Sequence, residues 1–140
     1  MQKWTFDKNA IRLGYRSGLE AKAAEQLELQ GVEFEYEHKD KRISYEKPTT
    51  QHKYSPDLTF PNSPVIIELK GQFKSEDRKK HLLIKKQHPE LDIRFVFSNM
   101  NGKIGKKSKT TYAMWCERND FQYANKHIPQ AWIEEIKNGK

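Results

Sequence analysis

Between Ser55 and Gln72 the chain reads SPDLTFPNSPVIIELKGQ: an aspartate after a proline, a turn, then an apolar run ending Glu68-Leu69-Lys70. Side chains alternate across a strand, so Val65, Ile67 and Leu69 face one way and Ile66, Glu68 and Lys70 the other. A hairpin pairing across PNSP would set Asp57 beside Glu68, so that both carboxylates and one ammonium converge at one sheet edge. Clustered carboxylates repel, and each tends to hold a proton unless a cation joins them. Hard oxygen ligands suit Mg²⁺ or Mn²⁺, ions that keep several waters and accept phosphate oxygens. Such an ion lowers the pKa of a bound water and offsets charge on a leaving oxygen. Lys70 would orient the attacking water or stabilise charge on the phosphoryl group; its position alone does not make it the general base. A further inward carboxylate, Glu20, could complete a second metal position. The bland alternative is that Glu68 and Lys70 form an exposed ion pair of little energetic value.

These residues need elements to hold them. RSGLEAKAAEQLELQG reads as a helix, with Ser17 as N-cap, Gly31 as stop, and an apolar stripe of Leu19, Ala23, Ala24 and Leu27 that Glu20 flanks. In VEFEYEH, Val32, Phe34 and Tyr36 alternate with Glu33, Glu35 and Glu37, the pattern of a half-buried strand with its acids turned outward. The polar KDKRISYEKPTTQHK reads as a loop or exposed strand. YSPDLTF and VIIELK are strands, and Gly71 ends the second. SEDRKKHLLIKKQHPE is a helix that Ser75 can cap, with Glu76 and Asp77 in its first turn and Pro89 past its end. IRFVFS is a buried strand, NMNGKIGKKSK a Gly/Lys-rich loop, and TTYAMWCERN and PQAWIEEIK are closing helices, the latter with Pro129 at its first position. The sum is one mixed α/β domain over residues 1–140, with 1–15 as an arm.

Composition narrows the function. The chain has 140 residues and a net charge of +7, which favours an anionic partner, nucleic acid before an acidic membrane surface. Its one cysteine, Cys116, excludes an internal disulfide or a cysteine zinc site and reads as a small buried apolar residue. No run is long enough to cross a bilayer and the N-terminus has no signal-peptide pattern, so the expected location is the cytoplasm. Arg12 and Arg16, then Lys74, Arg78, Lys79 and Lys80, then Lys103, Lys106, Lys107 and Lys109 form clusters able to track phosphates. Singly, each is an ordinary surface charge. Lys85 and Lys86 read as solvating an outer helix face, and the five histidines, His81 and His88 on one basic helix among them, form no metal-ligand spacing. His52, near Asp57, reads as a surface histidine, and Trp4, Trp115 and Trp132 read as packing residues. No helix-turn-helix or zinc-finger spacing is present, so shape and backbone contacts should dominate DNA recognition.

The blocks RSGLE, FEYE, YSPDLTFP, IELKG, DRKKHLLIKKQHPELDIRFVFS and IPQAWI resemble the phage endonuclease I family, the Holliday-junction resolvases of T-seven-type phages, from about Arg16 to Ile133. The family belongs to the PD-(D/E)xK nucleases; here Pro56-Asp57 matches PD and Glu68-Leu69-Lys70 matches ExK. The resemblance implies a restriction-endonuclease-like mixed sheet flanked by helices, in an intertwined, strand-swapped homodimer. It makes Glu20, Asp57, Glu68 and Lys70 catalytic, with Glu20, Asp57, Glu68 and the Leu69 carbonyl as ligands to two Mg²⁺ ions, replaceable by Mn²⁺. It also implies a bridging segment within about His38–Tyr54, so that Glu20 meets Asp57, Glu68 and Lys70 of the other chain. The implied activity is structure-selective hydrolysis of four-way and other branched DNA, leaving 5′-phosphate and 3′-hydroxyl ends. The alternatives are a restriction-type or mismatch-nicking enzyme on the same core, or a non-enzymatic branched-nucleic-acid-binding protein.

Overall fold

The structure is a computed structural model that describes residues 18–47 and 50–139. The expected arm at 1–15, the Ser17 cap, Trp4, Arg12 and Arg16 lie outside the described residues. Helix α1 runs Gly18–Leu29 and stops ahead of Gly31, whose φ of 67° is the left-handed value that glycine takes without strain. Strand β1 is only Glu35–Tyr36; a 3-10 turn at Lys39–Lys41 leads to β2 (Ile43–Lys47) and β3 (Thr50–Tyr54). Then come β4 (Leu58–Phe60), β5 (Ser63–Lys70), α2 (Ser75–Gln87) and β6 (Asp92–Phe97). Helix α3 (Tyr112–Arg118), β7 (Gln122–Asn125) and α4 (Gln130–Lys137) complete the described chain.

The main sheet has the order β1-β4-β5-β6-β7. Pairs β1/β4 and β4/β5 are antiparallel, β5/β6 and β6/β7 parallel, as helical crossovers from β5 to β6 and from β6 to β7 require. Alternation along β5 is as expected. Val65, Ile67 and Leu69 join Ala23 and Leu27 of α1 and Trp132, Ile133 and Ile136 of α4 in one core layer. Ile66 faces the other layer, a largely aromatic cluster of Phe73, Phe95, Phe97, Trp115 and Phe121 that also buries Ile84 of α2 and Cys116 of α3. Phe95 is the hub, with ring contacts to Phe73, Phe97, Trp115, Phe121 and His81. Trp115 and Trp132 pack in the core, and burial pushes the Cys116 thiol up to about 12.

Several local expectations need correction. The polar 39–53 segment, expected as a loop or exposed strand, holds two strands: β2 and β3 pair as an antiparallel hairpin that buries Tyr45 and Tyr54 against the aromatic layer. The hairpin is tied to the end of α2, where the Gln87 amide bonds both backbone groups of Glu46 and the His88 ring meets the Ser44 carbonyl. Lys74, not Ser75, occupies the N-cap of α2, and Pro129 is the N-cap rather than the first residue of α4. Lys85 does more than solvate a face: its Nζ donates to the Asp120 carbonyl at 2.7 Å and lies 4.3 Å from the Phe121 ring centroid. Strand β7 had no period-two signal, because only Ala124 of its four residues is buried.

Candidate active site

The carboxyl end of β5 carries the sequence-predicted cluster. Leu58 pairs with Ile67, so Asp57, one residue earlier, falls opposite Glu68. The two are stitched reciprocally: the Asp57 N–H donates to Glu68 Oε2 at 2.8 Å, and the Leu69 N–H donates to Asp57 Oδ2 at 2.9 Å. Glu68 is 2 % exposed and faces the aromatic layer. Its other oxygen, Oε1, has Lys70 Nζ at 3.6 Å and His81 Nε2 at 3.6 Å.

Glu20 arrives from the first turn of α1, on the opposite layer. It is 7 % exposed, accepts a hydrogen bond from the Tyr36 hydroxyl, and reaches Asp57. A third acid, Glu37, completes a group in which one oxygen each of Glu20, Glu37 and Asp57 lie within 4.8 Å of one another. Alternation in VEFEYEH turned Glu37 outward, and the structure corrects this. Glu37 has left strand geometry, with φ 47°, and its N–H donates to the Asp57 carbonyl at 3.1 Å. No periodic signal could have announced that twist. Glu68 stands beside this trio, linked to it through Asp57.

Charge and burial split the carboxylates. Burial, then the charges of Glu68 and Glu20, raise Asp57 to about 8, against the opposing pull of the Leu69 N–H and Lys70. Burial also pushes Glu68 up, but His81, Lys70 and the Asp57 N–H outweigh it and hold this carboxyl below its ordinary range. Burial lowers the Lys70 ammonium, yet the charges of Glu68, Asp77 and Asp57 prevail and raise it. Lys70 thus stays charged, Glu68 stays ionised, and Asp57 carries the repulsion. An arrangement of this kind, two interacting carboxylates with an ammonium beside them at a strand end, is more typical of a functional site than of a structural ion pair.

The basic clusters divide. Arg78 turns back to donate to the Phe73 carbonyl, and Lys80 lies 3.9 Å from Asp77 and 5.7 Å from the Tyr54 ring centroid. Lys74 and Lys79 are exposed, as are Lys103, Lys106, Lys107 and Lys109. The first pair follows β5, and the second group lies in the loop that follows β6, whose first residue, Ser98, donates to the Lys70 carbonyl at 3.0 Å. Both exposed clusters therefore leave the sheet at the carboxyl ends of its parallel strands, the edge where open α/β sheets bind ligands. His52 is partly buried and stacks on Tyr45 at 5.6 Å.

The model of the family described as phage endonuclease I matches residues 1–139. The chain belongs to the phage endonuclease I family. It is similar to "Endonuclease I" of Escherichia phage T7, 49% identical over 123 residues that cover 88% of this chain and 80% of that protein. It is similar too to "Endodeoxyribonuclease 1" of Enterobacteria phage T3, 50% identical over 123 residues, covering 88% of this chain and 79% of that protein. The spatial cluster at the end of β5 therefore lies in a chain whose relatives are named as endonucleases. Among the described residues no helix is long and apolar enough to cross a membrane.

Proposed function

We propose that this chain is a divalent-metal-dependent endodeoxyribonuclease that resolves four-way and other branched DNA. The observation that carries the reading is the reciprocal Asp57–Glu68 stitch beside Lys70, with Glu20 and Glu37 closing on Asp57. A hard divalent ion fits this donor set: carboxylate oxygens converge within 4.8 Å, and burial with neighbouring charge holds Asp57 at about 8, a repulsion that a cation would relieve. Glu20, Asp57, Glu68 and the Leu69 carbonyl are the ligands that the family resemblance implies, and Glu37 joins them on geometry. Two Mg²⁺ ions, replaceable by Mn²⁺, are the expected complement; when bound they supply a water of lowered pKa and offset charge on the leaving oxygen.

The protein's own groups do the rest. One oxygen of each carboxylate is held by a backbone N–H, Glu68 Oε2 by that of Asp57 and Asp57 Oδ2 by that of Leu69, before substrate arrives. Lys70 keeps a cation beside Glu68, where it stabilises negative charge building on the phosphoryl oxygens and orients the attacking water. Lys74, Lys79 and the lysines at 103, 106, 107 and 109 track flanking phosphates, with Arg78 and Lys80 shaping the start of α2; Arg12 and Arg16, outside the described residues, remain phosphate-binding candidates by their charge. Cleavage leaves 5′-phosphate and 3′-hydroxyl ends, inside the cytoplasm of an infected host.

The reading includes a strand-swapped homodimer on a restriction-endonuclease-like core. Glu20 and Glu37 precede the β2–β3 hairpin, whereas Asp57, Glu68 and Lys70 follow it. Opening the hairpin between Lys47 and Thr50 would pass the first two acids to another chain without altering the site, a low-cost route to a dimer. A Glu20→Ala chain mixed with a Lys70→Ala chain should then regain one working site per heterodimer. An inactive, authenticated heterodimer would show instead that each chain builds its own site.

One gel tests the main claim. Wild type, Asp57→Asn and Lys70→Ala are incubated with a labelled four-way junction and a matched linear duplex, in Mg²⁺ and in Ca²⁺. Nicking of the junction by wild type in Mg²⁺, with both variants bound but inert, is the expected outcome. Preferential cutting of the linear duplex at one sequence would favour the restriction-type alternative, and no nicking at all would overturn the reading.

A further inference from the structure

His81 is the least expected residue in the molecule. It lies in the middle of α2, three positions before Ile84, and shares with it the helix face turned to the sheet; both are 0 % exposed. The surrounding box is aromatic: the edges of Tyr54 and Phe95 at 5.3 and 4.9 Å, and Phe73 at 6.3 Å. A leucine or phenylalanine would suit that box. Neither ring nitrogen of His81 has a hydrogen-bond partner among the described residues, and an unpaired buried polar group costs about 1–3 kcal/mol. The adjacent Tyr54 hydroxyl is likewise buried and without a hydrogen-bond partner.

What the ring faces accounts for its presence. Nε2 stands 3.6 Å from Glu68 Oε1, a few tenths of an ångström outside hydrogen-bond range. Glu68 Oε2 is already fixed by the Asp57 N–H, so Oε1 is the oxygen whose direction remains to be set. Lys70, also 3.6 Å away, is a flexible ammonium on the solvent side, with 13% of its side chain exposed, and cannot hold one geometry as a ring locked in a packed box can. Carboxylates that bind metals are ordinarily anchored by such outer partners, whose loss costs about 10–100-fold in metal affinity or activity.

We propose that His81 is a positioning residue that, with Nε2 as donor, orients the Glu68 carboxylate for cation binding from beneath the sheet. The inference rests on the reading of Glu68 as a metal-site carboxylate. It assigns His81 no contact with substrate.

The test uses the full chain and two substitutions. His81→Phe fills the box and removes the donor; His81→Gln keeps an amide N–H at similar reach. Each is titrated with Mn²⁺ in a calorimeter, melted without metal, and assayed on a four-way junction for kcat and KM. His81→Phe should bind Mn²⁺ about 10–100-fold more weakly, lose kcat at unchanged KM, and melt no lower than wild type. His81→Gln should stay within a few-fold of wild type in affinity and kcat. Wild-type Mn²⁺ affinity in His81→Phe would overturn the inference. So would a melting point that falls with the loss, or a glutamine variant as impaired as the phenylalanine one, since either outcome makes the ring a packing element. Wild type that takes up no Mn²⁺ would overturn the metal-site reading beneath it.

Discussion

Two charges are buried in neighbouring strands on opposite faces of the sheet, and they are treated differently. Arg94 of β6 is 3 % exposed and lies on the aliphatic face. Its Nε and Nη2 bond both oxygens of Asp92 at 3.0 and 2.8 Å, Nη2 also bonds Glu135 at 2.6 Å, and the guanidinium sits 5.3 Å from the Trp132 ring centroid. Glu68 of β5 is as deeply buried on the aromatic face, yet its two basic neighbours, the Lys70 ammonium and the His81 ring, stand off at 3.6 Å. Arg94 is a charge neutralised for the sake of the fold: it locks α4 to β6. Glu68 is a charge held ionised but incompletely engaged, the state of a group kept ready for a ligand. Burial alone does not separate the two; the closeness and rigidity of their partners do.

Neutralising each charge should separate the two roles most sharply. Glu68→Gln should cost on the order of 10³-fold or more in junction cleavage while leaving a folded protein that still binds the junction in Ca²⁺. Arg94→Met should do the reverse. Unfolding in urea should show about 1–3 kcal/mol less stability, with near wild-type cleavage per folded molecule. Its carboxylate partners have 35% and 42% of their side chains exposed, so they return to water at little further cost. If Arg94→Met abolished cleavage in a fully folded chain, the division between structural and functional charge would fail.

A smaller effect concerns pH. Asp57 keeps a proton in the folded state between its ordinary 3.8 and about 8, so the folded chain binds more protons than the unfolded one across that window. Stability of the metal-free protein should therefore fall as pH rises through it. Asp57→Asn should remove that slope and raise the melting temperature at pH 8 on the order of 5 °C, with a smaller gain at pH 5. Added Mg²⁺ should stabilise wild type and leave Asp57→Asn little changed. A gain that is independent of pH would argue that Asp57 is not under electrostatic load. The least effect belongs to the exposed loop. Lys106→Gln or Lys107→Gln should weaken binding of any branched DNA and lower the slope of log affinity against log salt by about 1 each, with cleavage of bound substrate unchanged.

Much of this site can be read along the chain. Period-two alternation in VIIELK puts Val65, Ile67 and Leu69 in one layer and Ile66 and Glu68 in the other, as the structure has them. A hairpin across the short turn at PNSP lets Asp57 and Glu68 meet, and the β4–β5 register sets them opposite each other. Helical spacing sets Glu20 at the flank of the stripe of Ala23, Ala24 and Leu27, and the structure buries it with them. These are consequences of local geometry, which repeats and so leaves a pattern. Glu37 escaped because a single left-handed residue breaks the alternation that assigned it to solvent. His81 escaped because it looked like one more polar residue on a basic helix. Its spacing from Ile84 was the available signal, but which face of α2 is buried depends on the sheet beneath it. The β2–β3 hairpin escaped because its outer residues are polar and only Tyr45 and Tyr54 mark its buried side.

The chemistry on offer is legible along the chain: hard carboxylates, a lysine two residues from one of them and a strongly basic composition. Those follow from residue types and short-range periodicity, which need no knowledge of distant contacts. Only the tertiary structure decided how that chemistry is held. It brought Glu20 and Glu37 from before the hairpin to Asp57 after it, set His81 of α2 under Glu68 of β5, and gave Arg94 carboxylates at 2.6 to 3.0 Å where the basic groups beside Glu68 stand at 3.6 Å. Each of these joins residues far apart in the chain, and such contacts are specified by the packing of whole layers, for which no local pattern stands in.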